Sequence, residues 1–499
     1  MPSVPIAAAH APFILVIDVG SSSLRAMVYD AQANEVEGLR ARRTYQADAT
    51  DDGGLTLDPH DMFEAFTSAL DQVVTTAKDI NIAAVSASSL AYNVLALDAN
   101  GEPVTPAFIY SDTRDAGAVE KLRAAYDWSP IYSRTGCPLH TSYLPARLVW
   151  LRETQPDIFS NAAHWVSLYE YFLLRLFGCA RQSHSFAAWS GMLNHATLDW
   201  DEEVLQIAGV RREQFSPLAG ANDCLSGLWN EFAERWKQLA IIPWFPAFGD
   251  GALANIGSGC FDETSVAVTV GTSGAMRVVM DAEQGLKHLP HGLWMYRVDE
   301  RAGLVGGSLN NGGNIFAYLS NLLQIPDRAT LEAELEAMSP DAHGLTMLPF
   351  FAGERSPGYR GDARATLTGW NFGTSTVEIW RAAIEAVSYR FALIYQLLRE
   401  AIPPPQRVLA SGGALIHSRA WVQILADVLG VPVTASGEEE ASARGAALMA
   451  LRALGVIQTL GDIPAAMGET FAPRPENFAI YARARERQKS LYHLVLERE

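Results

Sequence analysis

One sentence of this sequence is written twice. LVIDVGSSSLRAMVYD, residues 15–30, aligns without a gap with VAVTVGTSGAMRVVMD, residues 266–281. Val19, Gly20, Ser22, Val28 and Asp30 recur as Val270, Gly271, Ser273, Val279 and Asp281. Each copy reads as a strand, a tight polar turn and a second strand. Internal self-similarity half a chain apart points to a duplicated structural unit, each owning one hairpin. The 499 residues agree, because single hydrophobic cores stop growing near roughly 250–300 residues. The glycine-bounded stretch GDGALANIGSGC, 249–260, closes the first unit. The expected domains are therefore 13–258 and 259–499. MPSVPIAAAHAP has neither a basic start nor a long apolar run and reads as a flexible tail, 1–12, not a signal peptide.

The composition excludes several partners. No run reaches the ~18 apolar residues of a membrane span, so no membrane is expected. A formal net charge of −18 argues against nucleic acid, which selects a basic footprint. It leaves nucleotides open, since backbone N–H groups and a metal ion can hold phosphates. Cys137, Cys179, Cys224 and Cys260 show no CxxC spacing, so neither zinc nor disulfides are indicated, and a reducing cytoplasmic location fits.

Periodicity gives the fold class. Met62, Phe63, Phe66, Leu70 and Val73 follow Asp58-Pro59 at helical spacing. Residues 83–88 and 94–97 read as strands, with a turn at Asn100-Gly101. Stretches 146–152, 165–177 and 376–400 read as helices. Residues 408–433 read as strand, Gly loop, helix and strand, with Trp421, Ile424, Leu425 and Val428 on the buried helix face. Strands alternating with helices in both halves give two α/β domains with mixed sheets.

The hairpin turns carry the first chemistry. Glycine lets the backbone approach a ligand, Ser and Thr add donors, and successive N–H groups cup an anion. Gly20, Ser21 and Ser22 could grip a phosphate from one side, and Gly271, Thr272 and Ser273 from the other. A polar β-turn without ligand is the plainer alternative for either copy. Asp18 interrupts the apolar strand IDVG; a buried carboxylate needs a partner or a metal, and Mg²⁺ held through water fits one. The matching position is Thr269, so only the first half carries this charge. Asp250, between glycines before an apolar helix, reads as an N-cap or as a base for an attacking hydroxyl, which is most of what phosphoryl transfer asks of a side chain. SGGAL, 411–415, is a glycine loop on which a ring or ribose could lie. Neither a Walker GxxxxGK[ST] pattern nor a GxGxxG fingerprint is present.

Taken in order, DVGSSSLRAMVYD, SDTRDA, RTGCPLH, FGDGALANIGSGC, VTVGTSGAMR, GGSLNNGGN, FFAGERSP and SGGALIHSRAWVQILADVLGVPV followed by EEASARGAALMAL resemble the FGGY carbohydrate kinases, of the actin–hexokinase superfamily. The resemblance spans residues 13–452 and looks most like the gluconate-kinase branch, with pentulose kinases next. It implies two ribonuclease-H-like domains with mixed sheets flanked by helices, closing on ATP and a sugar. By the same resemblance Asp250 is the catalytic base and Asp18 helps place Mg²⁺. Asn310, Asn311, Gly312 and Gly313 would line the nucleotide cleft. Gly412, Gly413 and Ala414 would carry the adenosine, with His417 nearby. Asp112 and Arg114 stand where the family uses an Asp-x-Arg pair near the sugar, and Ser89 and Tyr92 lie in the segment SSLAYNVLALD that faces the acceptor.

The acceptor half departs from the family pattern. Tyr92 stands where many relatives have His, Tyr110 where they have Trp, Tyr169-Glu170-Tyr171 where gluconate kinases show Lys-Glu-Tyr, and Ser183 where Asp is common. A carboxylate substrate wants a charged donor, and Arg147 or Arg114 are the candidates to replace that Lys. The plainer readings place Arg147 in an ion pair, Asp112 and Arg114 on each other, Tyr92 in the core, and the aromatics of 165–172 in the core as well. The expected activity is ATP- and Mg²⁺-dependent transfer to a hydroxyl of a sugar acid, ketose or polyol. A catalytically silent nucleotide-binding sugar sensor is the alternative of another class. The expected partner is a small sugar or polyol, with a homodimer as the candidate assembly; helix region 476–499 could pack on its own domain or on a second chain.

Overall fold

The computed structural model describes residues 3–324 and 326–497. Its first large sheet has five strands in the order Trp244–Gly249, Ile82–Ser89, Phe13–Val19, Ser23–Tyr29, Glu35–Thr44. The first three run parallel and the hairpin partners antiparallel. The second sheet repeats this plan. Val433–Ser436, Arg407–Ser411, Ser265–Val270, Gly274–Asp281 and Ala302–Leu309 occupy the same five places, and Trp294–Arg297 and Met467–Phe471 extend the two edges. The duplicated hairpin is thus the centre of a duplicated mixed sheet, as the repeat required.

The two hairpins are not in the same register, although their sequences align without a gap. In the first, Val19 pairs with Leu24 and Gly20 N–H donates to Ser23. In the second, Val270 pairs with Gly274 and Gly271 N–H donates to Ser273. The second turn is one residue tighter. Gly274 supplies the room: a Cβ there would lie 2.7 Å from the Phe391 ring.

Local signals set the elements that carry the site. Asp58 caps helix Pro59–Thr76 by accepting from the N–H groups of His60 and Asp61, with Pro59 at the first helical position. Helix Thr376–Ala401 opens with a Ser375–Glu378 capping box. Helix Asp250–Gly257 follows directly from strand Trp244–Gly249. Its counterpart in the second repeat, Ala441–Ala453, packs on it and on the first sheet. The hydrophobic core of the first unit therefore contains Ala443, Ala447 and Leu451 from the far end of the chain, so the chain boundary near 258 is not a boundary of packing.

One expectation about the ends changes, and one open alternative is answered. Residues 3–12 are not loose. Val4 exchanges backbone hydrogen bonds with Glu35 and Glu37, and His10 accepts from the N–H of Ala31. The outer strand of the first sheet offers unpaired backbone groups, and this segment satisfies them. Helix Pro475–Leu496 packs on its own domain, with Tyr481, Ala484 and Gln488 buried and the Tyr481 hydroxyl accepting from Arg381. All four cysteines are free. Among the described residues no helix is long and apolar enough to cross a membrane.

Candidate active site

The turns of the two hairpins face outward with their donors unspent. Ser21, Ser22 and Thr272 are exposed, and the N–H groups and hydroxyls of Ser21, Ser22, Thr272 and Ser273 make no hydrogen bond within the described residues. The second turn is buttressed by bare backbone. Gly313 N–H donates to Gly271 O at 2.7 Å, and Asn314 N–H to Thr272 O. A Cβ on Gly312 would lie 2.7 Å from Ser273 O, and one on Gly412 2.5 Å from Val270 O. Two glycine loops thus interlock on one turn, which is the physical reason for the glycines at 312, 313 and 412. Gly412 also takes φ +86°, a conformation that favours glycine.

A cleft of about 610 Å³ opens beside this turn. Gly271, Thr272, Gly313, Gly413, Ala414 and His417 line it, joined by Phe316, Arg328 and Trp380. Six of the residues expected at the nucleotide therefore meet in one cavity; Ser273, Gly312 and Gly412 belong to the turn and the loops that buttress it, Gly20, Ser21 and Ser22 belong to the first hairpin's turn, and two more are spent elsewhere. Asn310 and Asn311 turn their side chains to the backbone of Ala352 and Gly353 and clamp that loop instead. Asn314, which the sequence reading passed over, lines the cleft.

Asp250 sits at the first position of its helix, where the exposed N–H groups favour a carboxylate. Its Oδ1 accepts from Gly251 N–H at 2.8 Å. Burial raises it from the ordinary carboxylate value to about 6, against the pull of the Arg277 guanidinium. Arg277 comes from the second hairpin and bonds Gly251 O at 3.0 Å and Asn255 Oδ1 at 3.3 Å. Asp250 is thus held where the first sheet ends and the second hairpin reaches across. The signal for Arg277 is a charge in the apolar strand AMRVVM, the second hairpin's counterpart to the charge in IDVG.

Asp18 is 2% exposed and pairs with Arg25, 2.6 Å away on the neighbouring strand. Arg25 also pairs with Glu440, and the Ser442 hydroxyl stands 3.5 Å from both Asp18 oxygens. Burial raises Asp18 above its ordinary value although Arg25 pulls it down. Besides Arg25 the carboxylate has only hydroxyl neighbours, Ser88 and the more distant Ser442, among the described residues, and a single carboxylate so placed fits a divalent cation held through water.

The acceptor residues divide. Asp112 is fully buried and accepts from Leu55 N–H and from both Nε and Nη2 of Arg114. Arg114 lies over the rings of Phe108 and Trp150. Arg147 is spent on Asp115, Asp112 O and Thr141 O. These three form an internal clasp, so neither arginine has a free fork for a substrate carboxylate. Tyr169 and Tyr171 are core, and Ser183 caps helix His184–Ala188 while donating to Ala247 O.

Tyr92 and Ser89 do lie with Asp250. Ser89 pairs with Val19 on one side and Gly249 on the other, and its buried hydroxyl has no partner. Tyr92 takes φ +64°, strained for an aromatic residue. Its hydroxyl meets Tyr296 at 2.9 Å, and Tyr296 meets Tyr143 at 2.6 Å. The Trp189 ring stacks 3.9 Å from Tyr296 and lies against Gly249 and Gly251. Its buried Nε1–H is also unpartnered. Unsatisfied buried polar atoms are rare in native folds, and two of those in this chain, Ser89 Oγ and Trp189 Nε1, belong to residues that adjoin the Gly249–Asp250 turn.

Comparison with known proteins supports the same reading. Residues 13–257 match the N-terminal domain, and 266–454 the C-terminal domain, of the FGGY family of carbohydrate kinases. The chain is 26% identical to a gluconokinase of Bacillus subtilis over 93% of its own length and 92% of the relative's. The fold is similar to a gluconate kinase and a ligand-bound xylulose kinase of Lactobacillus acidophilus. Each has a TM-score of 0.89 at 26% identity, over 97% of this chain and 98% of the other. With two matched domains covering most of its length, the chain belongs to the FGGY family of carbohydrate kinases and is a phosphotransferase with an alcohol group as acceptor.

Proposed function

We propose that this chain transfers the γ-phosphate of Mg-ATP to a hydroxyl of a sugar acid, ketose or polyol, with a gluconate-like acid as the first acceptor and Asp250 as general base. The observation that carries the proposal is Asp250 itself. It is a carboxylate raised to about 6, adjoined by an arginine from the second hairpin and by unpartnered donors from the first domain. A base of that strength is largely ionised at neutral pH and strong enough to accept a hydroxyl proton. The Ser21–Ser22 and Thr272–Ser273 turns offer N–H and hydroxyl donors to the phosphates, and the cleft lined by Phe316, Trp380, Ala414 and His417 is the seat for the adenosine. Asp18 and its water shell would hold Mg²⁺, which when bound neutralises phosphate charge. Ser89 and Trp189 would hold sugar hydroxyls. A ketose is the second acceptor class, supported by the equal similarity to the xylulose kinase structure.

The test is ADP release with Mg-ATP across gluconate, other aldonates, xylulose, ribulose, glycerol and erythritol, with Asp250→Asn as control. An acceptor-dependent rate lost in the variant supports the reading. A well-folded wild type that binds ATP yet releases ADP with none of them points to the silent sensor.

A further inference from the structure

Arg355 is 5% exposed and has no acidic partner among the described residues. Three other deeply buried arginines are matched by acids, Arg381 by Glu385, Arg390 by Glu354 and Arg147 by Asp115, and Arg297 fills its donors with His195 and the Glu300 carbonyl. Glu354 precedes Arg355 in the chain but turns away to Arg390 and Tyr492. Among the described residues the Arg355 guanidinium makes one hydrogen bond, Nη2 to the Tyr92 hydroxyl at 3.2 Å, and its buried Nε–H has none. The ionisable groups around it are the hydroxyls of Tyr92, Tyr296, Tyr143 and Tyr359. His140, facing Tyr359 edge-on, is a further neutral neighbour. Tyr92 and Tyr359 both take positive φ, 64° and 51°.

A guanidinium removed from water without a counter-ion is costly, and strained aromatics that hold it in place add to that cost. The missing charge is an anion, and the fork geometry selects a carboxylate or phosphate. Tyr92 shares its ring contacts with Trp189, whose own ring lies against the Asp250 turn. The position is therefore the acceptor's far end, not the phosphate donors of the hairpins. A sugar bound there with one hydroxyl toward Asp250 carries its anion as part of its own skeleton.

We propose that Arg355 is the specificity-determining residue for the acceptor carboxylate, so that the sugar is an aldonic acid whose carboxylate lies on the Arg355 guanidinium and whose chain runs past Trp189 toward Asp250. This rests on the acceptor site proposed above, but it concerns recognition and not chemistry.

The test is binding of gluconate, galactonate and xylonate against sorbitol and gluconamide, by calorimetry without ATP, in the wild type, Arg355→Lys and Arg355→Met, followed by turnover of the same compounds. The wild type should prefer a carboxylate over its neutral counterpart by about 100-fold, the scale on which a site built for a charged group rejects its neutral analogue. Arg355→Met should lose that preference while sorbitol binding changes less than about threefold, and Arg355→Lys should fall between, keeping the charge but not the fork. A purely structural Arg355 would weaken acids and neutral polyols alike. A wild type that binds no aldonate more tightly than sorbitol overturns the proposal, as does an Arg355→Met protein that keeps the acid preference. If Arg355→Met fails to fold, the wild-type ratio and Arg355→Lys decide. Arg355-dependent aldonate binding with no phosphate transfer would defeat the kinase reading and leave this one standing.

Discussion

Gly445 lies with its Cα against the carbonyl of Leu253, and Gly257 lies reciprocally against the carbonyl of Ala441. The two equivalent helices of the duplicated units therefore cross backbone to backbone, directly behind Asp250. A Cβ on either glycine would meet a main-chain carbonyl, which cannot rotate away. Gly445→Ala should destabilise the fold by about 2–4 kcal/mol, in the range of overpacking in a rigid core. It should also lower the rate, because the crossing positions the helix that begins at Asp250, the proposed base. Gly117→Ala, at an exposed helical position with nothing within 4 Å, should leave the melting temperature unchanged or slightly higher. Melting curves of the two variants side by side check both expectations.

Asp250→Asn should reduce kcat by about 10²–10⁴, the usual contribution of a positioned base, with little change in the KM for ATP. In the wild type, kcat should rise with pH through about 6, where Asp250 ionises. Stability runs the other way. Between its ordinary value of 3.8 and about 6, the folded chain keeps a proton that the unfolded chain has lost, so this group's contribution falls as pH rises through that window. Asn carries no such charge. The variant should therefore be the more stable protein at pH 8, by up to about 3 kcal/mol, and lose that advantage below pH 4. Denaturant midpoints at the two pH values test the sign.

Arg277→Met should move the acidic limb of the pH–rate profile upward by about one unit, because the guanidinium is the main influence holding Asp250 down. The rate at pH 8 should suffer less than the rate at pH 6. A uniform loss at all pH values would instead assign Arg277 to the phosphate.

The repeat, the sheet class and the glycines that line the second turn's cleft were legible because each rests on a local signal: a hairpin pattern, strands alternating with helices, a glycine at a turn. The rest depended on partners far away in sequence. Arg147 looked available until Asp115 and the carbonyls of Asp112 and Thr141 closed on it. Arg355 was visible only as a letter of FFAGERSP, and nothing in that segment tells that Glu354 faces Arg390 and leaves Arg355 without an acidic partner among the described residues. The Asn310–Asn311 pair promised ligand donors, but the loop at 352–353 consumes them. The gapless alignment also concealed the tighter second turn, because pairing register is set by the strands and by Phe391 packing, not by residue count.

Asp18→Asn should raise the Mg²⁺ concentration needed for half-maximal rate by about tenfold or more, as for loss of a group that orients a metal's shell. The fold should survive, since Arg25 keeps Glu440 as a partner. A Mg²⁺ titration at saturating ATP separates this from simple loss of nucleotide binding. An unchanged Mg²⁺ requirement together with a large fall in melting temperature would reduce Asp18 to a structural partner of Arg25.

Gly412 and Gly413 are adjacent, yet their substitutions should fail differently. Gly412 takes a positive φ and presses on Val270, so Gly412→Ala strains the backbone and pushes on the second phosphate turn. It should lower stability and nucleotide affinity together. Gly413 has only the edge of the His417 ring, 4.0 Å from where its Cβ would be, and faces the 610 Å³ cleft. Gly413→Leu should fold normally, because the new side chain enters open space, and it should occupy the seat of the adenosine. Its KM for ATP should rise by about tenfold or more while acceptor binding, measured without ATP, stays unchanged. Equal effects of the two variants on stability would show that both glycines are there for the chain, and that the cleft beside them is not where the nucleotide sits.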